Sequence, residues 1–248
     1  MTLGSDRLIL KKNGFPPLSD RAITRPEWPP ISPHSQNEEW ANTFTHGLGF
    51  LLSLVGTVVL CLRAAVSQNS TVILGSAVYC GTLLLVYLAS TLSHAIKDRV
   101  WRFRWRVLDQ GVIYLLIAGS YMGFTLPLMA IEKNRYVMLM VWIWALMCCF
   151  HRTVIRSKSD QNGTISYLAL GWIPICLLDG IGTLLPSESF YWLIAGGICY
   201  SLGVVFLVLD RRVAYFHAIW HLFVIIASMA HFLGIYKIVV TLVADDGS

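Results

Sequence analysis

The chain has 248 residues, 56% of them hydrophobic and 13% charged, whereas an average soluble domain carries about 25% charged residues. That composition excludes an ordinary water-soluble fold and specifies an all-α integral membrane protein. The net charge of +5 does not argue for nucleic acid, because the basic residues lie between apolar stretches, where anionic lipid headgroups are the simpler partner.

Residues 1–40 form a cytoplasmic tail expected to be poorly ordered. They hold six of the nine prolines and lack the apolar core of a signal peptide. The transmembrane domain, 41–248, contains seven stretches of about 20 apolar residues, enough to cross some 30 Å of hydrocarbon as helices. They lie near 44–66, 71–93, 107–130, 136–154, 165–185, 189–209 and 215–240. With seven spans, fifteen of the nineteen lysines and arginines fall on the side shared by the tail and by the loops at 94–106, 155–164 and 210–214. The positive-inside rule therefore expects a cytoplasmic N-terminus and an outside C-terminus in the cell membrane, plasma or inner.

Just ahead of the first span, Glu39, Asn42 and His46 make one helical face polar. The face is either an interfacial turn with its polar side in water or part of a site. The second span ends in Ser90-Thr91-Leu92-Ser93-His94, with Ser90 one turn deeper on the face of His94. Beyond it, five basic residues from Lys97 to Arg106 alternate with Trp101, Phe103 and Trp105. At a membrane this pattern reads as a headgroup-binding aromatic belt, in preference to a single-strand nucleic-acid surface.

Asp109 opens the third apolar span. A carboxylate there has a partner or a function, since it costs about 2.5 to 3.5 kcal/mol at mid-membrane and less near an end; the alternative is a favourable place at a helix N-terminus. His151, at the inner end of the fourth span, is a reserve candidate. Asp179, in the fifth span, reads as structural or cavity-lining, and Pro174 as a kink in the same helix. Small residues in the sixth span (Gly196, Gly197, Ser201, Gly203) suit close helix packing. The six cysteines all lie in apolar stretches and read as small hydrophobes.

In the seventh span His217 and His221 stand four residues apart, so both imidazoles face the same way. They are either hydrated helix-end residues or two ligands of a zinc ion. His94, Asp109, His217 and His221 belong to three helices yet share one membrane depth, and three imidazoles with a carboxylate are the groups of a catalytic zinc with an open position. His231, about 15 Å further along the helix from His221, is too distant to join them and is expected to bond another helix or line a cavity.

Glu39, Asn42 and His46; Ser90 and His94; Leu108-Asp109; the run Ile113 to Tyr121; and Phe216-His217-Ala218-Ile219-Trp220-His221 with His231 together resemble the hemolysin III family of the progestin and adipoQ receptor superfamily. The resemblance covers 38–240 and implies a seven-helix bundle with zinc held by His94, His217 and His221 and a water contacted by Asp109. It also implies kinship to ceramidase-like membrane hydrolases. The chain departs from the family pattern in three places: Gln110 where the bacterial branch has histidine, Met122-Gly123 in place of Thr-Pro, and Ser93 where tyrosine is frequent.

The expected function is zinc-dependent hydrolysis of a lipid amide or ester, with Asp109 as base and Ser90 as donor to the oxyanion. In helix interiors, however, serine also commonly bonds its own i−4 carbonyl. The alternatives are a receptor-like signalling protein with structural zinc and a membrane-permeabilising cytolysin. Nothing in the sequence fixes the substrate or the oligomeric state.

Overall fold

The computed structural model describes residues 34–155 and 160–245, so the tail expectation falls largely outside the described residues. Those residues build an all-helical structure of seven helices in chain order. Helix α1 spans Gln36–Val66 and α2 Ser70–Ala95; α3 spans Arg99–Phe124 and α4 Glu132–Phe150. They are followed by α5 at Asp160–Leu177, α6 at Ser187–Leu209 and α7 at Phe216–Asp245. Six are long and apolar enough to cross a membrane, while the apolar part of α5, Gly163–Leu177, is shorter. The protein is a multi-pass membrane protein.

Local capping explains where the helices depart from hydropathy. Helix α1 starts at Gln36 instead of 44 because Ser35 and Glu38 form a reciprocal capping box, which satisfies two otherwise orphaned backbone groups. Helix α3 starts at Arg99 instead of 107 because the Asp98 carboxylate accepts from the backbone N–H groups of Val100 and Trp101. The basic and aromatic run is therefore mostly helix, not loop. Its Arg102 is buried and donates from Nε to Ile96 O and from Nη2 to His94 O, closing the C-terminus of α2. Trp101 and Arg104 stay outward, the guanidinium 5.0 Å from the ring centroid.

Helix α3 ends at Phe124, before 130, and a short 3₁₀ turn, Leu126–Leu128, follows with Pro127 in its first positions. Helix α5 ends at Leu177, and Gly180 takes a φ of 76° in the turn beyond it, a conformation glycine adopts without steric cost. Asp179 consequently lies outside the helix. It pairs with Lys133 at 2.7 Å, and its backbone N–H donates to Asn134 Oδ1, tying this turn to the start of α4. His151 sits exposed in the π-helical turn His151–Ile155 after α4 and is not part of the group formed by His94, His217 and His221.

Helices α1, α2, α3 and α7 pack closely, and α6 lies along α7, whereas α5 touches its neighbours sparsely. At Gly49 an added Cβ would stand 2.5 Å from Tyr87 Cε1, so this glycine lets α1 close on α2. The outward faces carry large apolar side chains such as Phe44, Leu51, Val55 and Leu62, a surface matched to hydrocarbon. Loose packing around α5 leaves a cavity of about 700 Å³.

Candidate metal centre

At one end of the bundle the last turn of α2 meets the first turns of α7. His94, His217 and His221 each offer a ring nitrogen within 4.8 Å of the other two. Ring centroids lie 4.6 Å apart for His217 and His221, and 5.1 and 5.2 Å from His94 to each. The spacing of four residues aligns the α7 pair, and only the packing of α2 supplies the third imidazole.

Each imidazole is held from behind through Nδ1. His94 Nδ1 lies 2.7 Å from Glu39 Oε2, and His217 Nδ1 lies 2.8 Å from Asp210 Oδ2. His221 Nδ1 lies 3.1 Å from Thr45 Oγ1. The Thr45 hydroxyl already donates to the carbonyls of Ala41 and Asn42, so its oxygen accepts from His221. All three partners are acceptors, which places the proton on Nδ1 and leaves the lone pair on Nε2. His94 Nε2 is buried without a hydrogen-bond partner. This is the arrangement in which a ligating imidazole is oriented and made more basic by a group behind it. The donor set fits a zinc-class ion.

Asp109 lines the same cavity, accepts from Ser93 Oγ at 3.3 Å and has the Ser90 hydroxyl beside it. The candidate set Ser90, His94, Asp109, His217 and His221 therefore shares one cavity wall. The interfacial reading of the α1 polar face is overturned: Glu39, Asn42 and His46 are all buried. Arg106 Nη2 reaches the second oxygen of Glu39 at 2.7 Å. The His46 ring stacks on His221 with centroids 3.5 Å apart and planes 20° from parallel.

Four groups at this end escaped the sequence reading as site residues: Thr45, Arg106, Asp210 and His34. Asp210, seven residues before His217, carried a signal only in hindsight. His34, ahead of α1, lies with its ring centroid 5.0 Å from that of His217. Its pKa is lowered, first by burial and then by the neighbouring His217.

Away from this end the cavity runs between α3, α5, α6 and α7, lined by groups such as Ile117, Leu168, Tyr200 and Val204. At its other end His231 donates from Nε2 to Leu193 O on α6 at 3.2 Å, as a cavity-lining, helix-bridging histidine would.

A family model described as Haemolysin-III related matches residues 34–232. The chain belongs to that family. It is 32% identical over 195 residues to Hemolysin-3 of Bacillus cereus, covering 79% of this chain and 89% of the relative. It is 33% identical to the Hemolysin-3 homolog of Bacillus subtilis (strain 168), covering 79% and 91%. The human Monocyte to macrophage differentiation factor is 25% identical over 205 residues, covering 81% and 84%. The haemolysin-III match reaches from His34 through His231 and so spans every residue of the candidate centre.

Proposed function

We propose that the protein is a zinc-binding membrane hydrolase acting on a lipid amide or ester from the cytoplasmic side. The observation that carries this reading is the common state of the three histidines, each with Nδ1 held by an acceptor and Nε2 left as the donor atom. His94, His217 and His221 would hold the ion. A zinc so bound supplies Lewis-acid polarisation of a carbonyl and lowers the pKa of water toward about 7.

The chain's own groups would do the rest. Asp109, with Ser93 donating to it, would take the proton of the attacking water. Ser90, on the same wall, would donate to the oxygen that gains charge. The cavity of about 700 Å³ continues from these residues along apolar side chains of α3, α5 and α6, which suits an acyl chain whose carbonyl stops at the histidines. Asp210, Glu39 and Thr45 would keep the imidazoles aligned.

A structural role for zinc in a receptor-like protein is the second reading, favoured by a ligand set that joins α2 to α7. It and the hydrolase differ in one variant. Purified protein should carry about one zinc per chain, lost in His94→Ala. Asp109→Ala should keep zinc and melt as wild type while hydrolysis of a fluorogenic lipid amide falls at least 100-fold. Unchanged turnover in Asp109→Ala removes its role as base, and well-folded wild type without zinc sinks the hydrolase. The relatives' name hemolysin would imply membrane lysis; leakage of dye from vesicles on reconstitution is the matching observation.

A further inference from the structure

Asp210 has a second histidine neighbour. Its Oδ2 lies 2.8 Å from His217 Nδ1 and 3.7 Å from His34 Nε2. One donor atom from each of His34, Asp210 and His217 falls within 4.8 Å of the others. In a four-coordinate zinc-class site with bonds of about 2.0 to 2.2 Å, neighbouring donors stand about 3.3 Å apart. The His34 separation is close to that value, and the His217 separation needs to open by about half an ångström.

We propose that His34, Asp210 and His217 form a second, weaker site for a divalent transition cation, at the mouth of the cavity and outside the three-histidine centre. Two imidazoles and one carboxylate are borderline donors of the kind that select zinc-class ions over calcium or magnesium. The three come from separate places in the chain: the segment before α1, the residue after α6 and the first turn of α7. Their side chains are 6%, 13% and 17% exposed, sheltered enough to form a defined pocket and open enough to admit an ion from water. Glu38 adds negative charge, with Oε1 3.8 Å from His34 Nδ1. It is itself fixed by the backbone N–H of Tyr215, which donates to Oε1 at 3.0 Å. That bond ties the segment carrying His34 to the start of α7.

The two sites would share His217, through Nε2 inward and Nδ1 outward. An outer cation replaces the proton lying between His217 Nδ1 and Asp210, and that proton leaves to water. Filling the outer site therefore replaces the hydrogen bond to Asp210 with a cation held by the same carboxylate. The two sites would be coupled, because one imidazole would serve both ions. This coupling rests on the three-histidine reading, whereas the outer donor set by itself does not.

The test is a titration of the full chain in detergent, stripped with a chelator, using Co²⁺ followed by its visible absorption and by metal content. Wild type should take up two equivalents of unequal affinity. His34→Ala should lose only the weaker, by tenfold or more, and melt as wild type with one equivalent bound; His34→Cys should recover it. His94→Ala should lose the tighter. A second equivalent that persists unchanged in His34→Ala, or a wild type whose single equivalent does not depend on His34, overturns the proposal. Loss of the same single equivalent in both His34→Ala and His94→Ala also overturns it. An uptake that depends on His34 but not on His94 would support the outer site while rejecting the inner one.

Discussion

Glu39 and His94, brought together from α1 and α2, share a hydrogen bond of 2.7 Å with both side chains 3% exposed. Arg106 grips the other carboxylate oxygen at the same distance. The carboxylate thus orients one imidazole and balances one guanidinium. Glu39→Gln keeps the shape and drops the charge, and is expected to weaken zinc binding about 10- to 100-fold, the usual effect of removing an outer partner of a metal ligand. Glu39→Ala should cost about 1 to 3 kcal/mol of stability, because it leaves the buried His94 Nδ1 donor unsatisfied. Competition with a fluorescent chelator and thermal melts in detergent measure the two effects. Wild-type affinity in Glu39→Gln would remove the orienting role.

Thr45 makes a narrower test of the same idea. Thr45→Val preserves volume but deletes the oxygen facing His221 Nδ1. Leaving that donor unpaired should cost about 1 to 3 kcal/mol and weaken zinc. Thr45→Ser should restore both properties. Equal behaviour of Val and Ser variants would show that the hydroxyl does not matter.

His46 presents both ring nitrogens to the interior without hydrogen-bond partners while stacking on His221. If stacking is its contribution, His46→Phe should melt within about 1 kcal/mol of wild type, since the aromatic contact survives and two unsatisfied polar atoms go. His46→Ala should be less stable and bind zinc more weakly. A Phe variant as damaged as Ala would point instead to a polar role for this ring.

Gly49 sets the approach of α1 to Tyr87, whose ring meets His46 edge-on at 5.2 Å. Gly49→Ala forces that ring aside and should cost about 1 to 3 kcal/mol by overpacking. The same variant should lower zinc affinity, read by chelator competition, because the displaced ring disturbs the stack on His221.

Chelation offers a global check. A ligand that binds only the folded state stabilises it by mass action, by about 2.7 kcal/mol at 100 times its dissociation constant. Stripping metal should therefore lower the melting temperature of wild type, and added zinc should restore it. The melting temperature of His94→Ala should respond far less, and only at the higher metal concentrations that fill the weaker outer site.

Membrane class and helical fold were legible in the chain alone because apolar length is a local property: about 20 residues either span hydrocarbon or they do not. The candidate site was legible in outline for a related reason. His217 and His221 announce a shared face by their spacing, and His94 and Asp109 mark the ends of apolar spans at the same depth, although Asp109 itself lies well inside α3. Helix boundaries were less legible. Ser35, Asp98 and Pro127 override hydropathy through capping and ring geometry, and α5 stops at Leu177, well before the apolar run ends.

What the sequence could not decide was which groups stand behind the imidazoles. Glu39 is 55 residues from His94, and Thr45 is 176 from His221. No local pattern links such pairs. Whether the polar face of α1 meets water or protein depends on α1 packing against α2 and α7, and that packing turns an apparently interfacial stripe into the buried support of His94 and His221. Asp210 and His34 follow the same logic. By sequence they are a span-end acid and a tail histidine; only the fold sets both beside His217. The sequence determined the membrane class and the chemistry available, because these are properties of single segments. Tertiary structure decided which acceptor fixes each ring, because a hydrogen bond requires two segments to meet within about 3 Å.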